Sequence, residues 1–200
     1  MLHDGPEEGP LLALAHGAGA PMDSPFMNAM AAGLAAQGVR VARFEFPYMR
    51  SRRSNGGGRR GPDREPVLLA AWREAIAELG GAEGLFIGGK SMGGRMASLI
   101  ADEAGVRGLV CLGYPFHPAG NPDRLRVKHL KDLRTPTLMV QGTRDTLGSR
   151  QEVERYELSP AIRIVWLEDG DHSFKPRVSS GRTERQNLDA AVEAVAAFVR

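Results

Sequence analysis

The chain has 200 residues, 42% hydrophobic and 25% charged, with a formal net charge of +2. That length allows one domain spanning residues 1–200 that buries roughly 70% of its unfolded surface, and so small a charge argues against a nucleic-acid partner. The one cysteine, Cys111, excludes an internal disulfide; no apolar run approaches the ~20 residues of a membrane span, and no signal-like stretch opens the chain, so a cytoplasmic protein is expected.

Residues 1–9 are polar and broken by glycine and proline, and read as a poorly ordered tail able at most to fray onto a sheet edge. Pro10 to Ala15 is a short apolar strand. Ser24 to Gln37 reads as a helix, with Ser24 as N-cap, Pro25 in the first turn, and Met27, Met30 and Leu34 on one face. Val39 to Phe46 is a strand. Residues 47–65 form a basic Gly/Arg-rich loop. Pro66 to Leu79 is an amphipathic helix stopped by Gly80 and Gly81, its stripe being Leu69, Trp72, Ile76 and Leu79.

Leu85 to Gly88 is a strand that leads into a helix over Gly94 to Ala104, ended by Gly105. Gly108 to Gly113, Thr137 to Gln141 and Ile162 to Leu167 are further buried strands, with Cys111 as a core residue. Ser149 to Leu158 and Thr183 to Arg200 are helices, the last striped by Leu188, Val192, Val195 and Val199. Continuous apolar strands separated by helices imply a parallel sheet covered on both faces. The expected architecture is a compact three-layer α/β/α sandwich with about six mostly parallel strands.

The chemistry concentrates at Gly89-Lys90-Ser91-Met92-Gly93. A serine on a tight turn between strand and helix is presented at the carboxyl edge of the sheet, and glycines on both sides avoid collisions with neighbouring chain. Two more residues converge on that edge. Asp145 follows the strand beginning at Thr137, and His172 follows the strand ending at Leu167. A serine hydroxyl is a weak nucleophile that needs an adjacent base, and the base needs an orienting acid. Ser91, His172 and Asp145 are the candidates for these roles. The oxyanion donors expected are the backbone N–H of Met92 and that of Ala18, in the loop His16-Gly17-Ala18-Gly19. Gly19, Lys90, Tyr114 and His117 are expected to line the pocket, with Lys90 pointing to its rim or to a carboxylate. His16 is read as bonding backbone.

Each residue has a plainer reading. Ser91 would also serve as a helix N-cap, Asp145 as a cap for the helix near Ser149, and His172 as a surface histidine. Glu152 is the rival acid, placed one turn into a solvent-facing helix. Gly84 to Ser91 also satisfies the phosphate-loop pattern G-x-x-x-x-G-K-[ST]. Here, however, Leu85-Phe86-Ile87 are themselves the strand, and the next strand lacks a magnesium-holding Asp. Nucleotide binding is therefore the remote alternative. Arg50 to Arg64 holds six arginines and four glycines. Arg52, Arg53, Arg59 and Arg60 would suit an anionic substrate, against the plainer reading of a solvated loop. No His/Cys/carboxylate cluster has metal-ligand spacing, so no metal or other cofactor is expected.

The segments Ala15 to Met27, Gly88 to Ser98, Gly113 to Pro118, Gln141 to Gly148 and Asp169 to Lys175 carry a resemblance. The chain resembles the α/β-hydrolase superfamily in its dienelactone-hydrolase-like branch. More narrowly, it is similar to small hydrolase-like proteins related to a testis-expressed family and to a hydrolase-like subunit of a chromatin acetyltransferase complex. The order Ser, Asp, His along the chain is that of the superfamily's triad. The resemblance implies hydrolase activity on a small-molecule acyl substrate but not its identity. Some of the narrower relatives act as scaffolds, so a non-catalytic interaction module is the competing reading. Tyr114 to Arg134, where larger relatives insert lids, is short; no large lid and a shallow, partly open pocket are expected. Oligomeric state is not readable.

Overall fold

The computed structural model describes residues 1–54 and 61–200. Seven strands form one sheet: β1 Leu2–Asp4, β2 Leu11–Ala15, β3 Arg40–Phe44, β4 Phe86–Lys90, β5 Gly108–Leu112, β6 Thr137–Gly142 and β7 Ile162–Leu167. Their spatial order is β1-β3-β2-β4-β5-β6-β7. Every pairing is parallel except β1 with β3, which is antiparallel. The helices are α1 Pro25–Ala36, α2 Pro47–Ser54, α3 Glu65–Glu78, α4 Met92–Ala104, α5 Arg150–Val153 and α6 Glu184–Val199.

Side chains alternate across the sheet with the two-residue period of a strand. Leu12 and Leu14 of β2, Val110 of β5 and Leu138 of β6 face the buried stripes of α1 (Met27, Met30, Leu34) and α6 (Val192, Val195, Val199). Ala13, Ile87, Leu109, Cys111 and Met139 face the other way, onto Leu68 and Trp72 of α3 and Met96 and Ile100 of α4. The result is three layers around a doubly covered sheet. Each fully buried Leu or Met contributes about 1.5–3 kcal/mol of apolar transfer, which is why both faces must be covered. Trp72 adds an indole N–H donated to the Gly93 carbonyl at 3.3 Å, joining α3 to α4.

Three expectations are corrected. The first residues are not a loose tail: Leu2–Asp4 make a seventh, edge strand, tied by Arg43 to Asp4 at 2.8 Å. The basic segment is not a loop from its start, since 47–54 are helical. Pro47 opens that helix, and the Asp63 carboxylate accepts the Tyr48 N–H at 2.8 Å. The helix expected over Ser149 to Leu158 is only one turn, Arg150–Val153, because Tyr156 and Leu158 leave it to pack on the core.

The chain runs from β2 outward to β3 on one side and to β4 on the other. The carboxyl ends of β2 and β4 therefore border a topological switch point, where open parallel sheets form crevices.

Candidate active site

Ser91 stands between β4 and α4 with φ 50° and ψ −113°. Positive φ is unfavourable for a residue with a Cβ and persists only where the surroundings enforce it. They do so here: the Ser91 N–H is held by the Leu112 carbonyl at 2.9 Å, and glycine crowds both flanks. A Cβ on Gly89 would stand 2.4 Å from the Ala15 carbonyl oxygen, and one on Gly93 2.5 Å from the same atom.

Ser91 Oγ lies 2.9 Å from His172 Nε2, and His172 Nδ1 lies 2.8 Å from Asp145 Oδ2. Asp145 is fully buried, whereas the His172 side chain is 27% exposed. Such burial demands hydrogen bonds for the carboxylate. Besides His172 they come from Gln141 Nε2 to Oδ2 at 2.9 Å and from the Leu147 N–H to Oδ1 at 2.8 Å. Glu152, the rival acid, caps α5 instead through Ser149, which holds it below the usual carboxylate range.

The His172 loop is braced locally. Asp171 Oδ1 accepts the Ser173 and Lys175 N–H groups at 2.8 and 3.0 Å. Phe174, at φ 71°, is buried against Phe26. Lys90 is buried rather than rim-exposed, and it meets a carbonyl rather than a carboxylate: Nζ donates to His172 O at 2.7 Å and lies over the Phe26 ring. Burial pushes its pKa down to about 8 against the opposing pull of Asp145 and Asp171.

Across from Ser91 runs the loop after β2. His16 is fully buried and accepts the Phe46 N–H on Nε2 at 3.1 Å, which leaves Nδ1 to donate to the Gly17 carbonyl at 2.6 Å. Tyr48 donates its hydroxyl to the Ala18 carbonyl at 2.9 Å. The Met92 N–H opens α4, where it has no partner within the helix.

Two cavities share Ser91 and Ala18. One, of about 400 Å³, is walled by Met92, Met96, Leu68, Pro115 and Pro118, with Arg95 and Arg126 among its polar residues. The other, of about 350 Å³, is walled by Gly19, Phe26, Lys90 and His172. Tyr114 and His117, expected in the pocket lining, are buried behind it. Tyr114 packs on Phe116 and donates to the Arg126 carbonyl, and His117 meets Pro118 O and Glu152. The prolines beside them make the wall.

Of the four arginines expected to meet an anion, two lie among the described residues. Arg53 is occupied by Glu45 at 2.8 Å and by Asp23. Arg52 lies over the Tyr48 ring. Arg59 and Arg60 lie outside the described residues. Gly88, Gly89 and Lys90 are buried strand residues, which leaves no loop to wrap a phosphate. Two contributors were not singled out from the sequence. Gln141 fastens Asp145 to the Tyr114 backbone, and its only signal is a polar residue ending an apolar strand. Tyr48, which steadies Ala18, had none.

The fold and this edge define the class. The chain belongs to the alpha/beta hydrolase domain family, whose sequence model matches residues 8–200. Its structure is similar to that of a lidless a/b serine hydrolase from Xanthomonas campestris, at 22% identity and a TM-score of 0.64, covering 96% of this chain and 87% of that one. It is similar to a dienelactone hydrolase from Anabaena variabilis, at 19% identity and a TM-score of 0.68, covering 98% and 87%. It is also similar to Est1E from Butyrivibrio proteoclasticus with ferulic acid bound, at 14% identity and a TM-score of 0.71, covering 99% and 94%. No helix among the described residues is long and apolar enough to cross a membrane.

Proposed function

We propose that this chain is a serine hydrolase that cleaves a small carboxylic ester through an acyl-enzyme. The hydrogen-bonded line from Asp145 through His172 to Ser91 carries the reading. Ser91 Oγ attacks the ester carbonyl carbon as its proton passes to His172 Nε2. Asp145, buried and acceptor-only, holds the imidazole by Nδ1 and balances the imidazolium. The N–H groups of Met92 and Ala18 stabilise the oxyanion, the first helped by the amino end of α4. Collapse breaks the C–O bond, and the alcohol leaves with the proton from His172. Water then repeats the sequence, giving the acid and restoring Ser91.

Esterase, lipase and serine hydrolase neighbours of the same fold support hydrolysis of this kind. The narrower kinship with testis-expressed and chromatin-complex hydrolase-like proteins rests on the segments quoted from the sequence. A fully buried, unpaired Cys111 favours action in the cytoplasm. The test is hydrolysis of short p-nitrophenyl esters by the purified chain. Turnover by wild type that is lost in Ser91→Ala supports the reading. No turnover by folded protein across acyl lengths overturns it in favour of an interaction module.

A further inference from the structure

The two cavities meet at Ser91 but offer different chemistry. The second contains His172, which in the proposed reaction must protonate the departing alcohol oxygen, so the alcohol half leaves on that side. The first has no His172 among its lining residues, and so receives the acyl half. Its walls are largely apolar, which suits a hydrocarbon chain.

Its charged residues are Asp63, Glu65, Arg95 and Arg126. Three of the four are engaged. Asp63 accepts the Tyr48 N–H, and Glu65 accepts from the Arg95 guanidinium at 2.8 Å. Arg126 has no carboxylate partner among the described residues. Its charged neighbours are Arg95 and Arg124, both cations, and burial together with that repulsion weakens its hold on its proton. Arg95 adds a second unmet donor, since its Nε is buried without a hydrogen-bond partner. The Arg126 backbone is pinned on both sides of its Cα: its N–H donates to Phe116 O at 2.7 Å, and its carbonyl accepts the Tyr114 hydroxyl at 3.0 Å. A guanidinium on a fixed backbone, half-buried beside another cation and lacking an anion, is unfavourable until an anion arrives.

We infer that the acyl half of the substrate carries a carboxylate at its far end, received by Arg126 with Arg95 beside it, so that the enzyme hydrolyses monoesters of dicarboxylic acids. This rests on the proposed serine-hydrolase reading. The products are an alcohol and a dicarboxylate, and the reacting steps are unchanged.

The experiment compares kcat/KM for mono-p-nitrophenyl esters of a dicarboxylic acid series with methyl-terminated esters of matching length. Wild type is expected to favour at least one acidic ester over its neutral counterpart by on the order of tenfold, the scale of a hydrogen bond to a charged group. In Arg126→Gln the ratio is expected to fall toward one, and Arg126→Lys to keep part of it. Arg124→Gln removes an equal charge from the exposed neighbour and is expected to leave the ratio as in wild type. Neutral esters hydrolysed as well as every acidic one overturn the inference and leave the serine-hydrolase reading standing. So does a ratio that survives Arg126→Gln or falls equally in Arg124→Gln. Hydrolysis of no ester at all overturns both.

Discussion

Lys90 Nζ donates a hydrogen bond to the backbone carbonyl of His172 at 2.7 Å, linking the residue before the nucleophile candidate to the residue proposed as its base. Gly113 makes room for the contact, because a Cβ there would stand 2.9 Å from both atoms. Holding this ammonium away from water is costly, which is the main reason its pKa sits at about 8 instead of 10.5. Between those values the unfolded chain binds the proton more tightly than the folded one, so this residue's contribution to stability improves as pH rises through that window. Lys90→Met removes the burial cost and the bond together. It is expected to lower kcat about tenfold, with KM little changed and the melting temperature held or raised. A kcat equal to wild type would show that the bond does not position His172.

Asp145→Asn tests the acid. An amide in place of the carboxylate favours the wrong tautomer of His172, and kcat is expected to fall by about 10³–10⁴ with little change in fold. Glu152→Gln alters the cap of α5 and should leave kcat within about twofold. Equal losses in the two variants would dissolve the distinction between them.

His16 gives the protein an acid-sensitive point. Burial is the main cause of a pKa below its ordinary 6.5, and the Phe46 N–H aimed at Nε2 leaves no room there for a second proton. Below about pH 6.5 the unfolded chain takes up a proton that the folded one resists, so stability falls with acidification. His129, also lowered chiefly by burial, acts in the same direction. Urea midpoints are expected to drop between about pH 7.5 and 5.5. His16→Asn should be less stable at the higher pH but lose less on acidification. An unchanged pH slope in that variant would remove His16 as a cause.

The glycines flanking Ser91 are crowded by backbone, unlike glycines in open space such as Gly105. Gly89→Ala drives a methyl into the Ala15 carbonyl and into the Gly93 and Gly94 backbone, none of which can yield. The expected loss is at least about 3 kcal/mol or failure to fold. Gly105→Ala, at φ 68° in open space, should cost about 1–2 kcal/mol. Chemical denaturation of both variants measures the difference, and equal costs would mean that the turn at Ser91 yields to the added methyl.

Much of this arrangement was readable from strands. Long apolar runs flanked by glycine place Ser91, Asp145 and His172 just beyond strand ends, and a parallel sheet brings such ends to one edge. The parts that could not be read depend on partners distant in sequence. Leu2–Asp4 is a strand because β3 offers it an open edge and Arg43 an ion pair, and nothing within the first nine residues announces either. The start of the basic segment is helical because Pro47 opens it and Asp63 accepts the Tyr48 N–H. Composition there signalled only glycine and arginine. Arg126 is not legible in the sequence because its lack of an ion pair among the described residues is a property of the folded cavity.

The proposed reaction stands on Ser91 as its nucleophile. Incubation with a fluorophosphonate, followed by mass spectrometry of the proteolysed protein, tests it directly. A single adduct is expected on the peptide containing Ser91, absent in Ser91→Ala and strongly slowed in His172→Ala. A folded wild-type chain that stays unlabelled, or an adduct on a different serine, would contradict it.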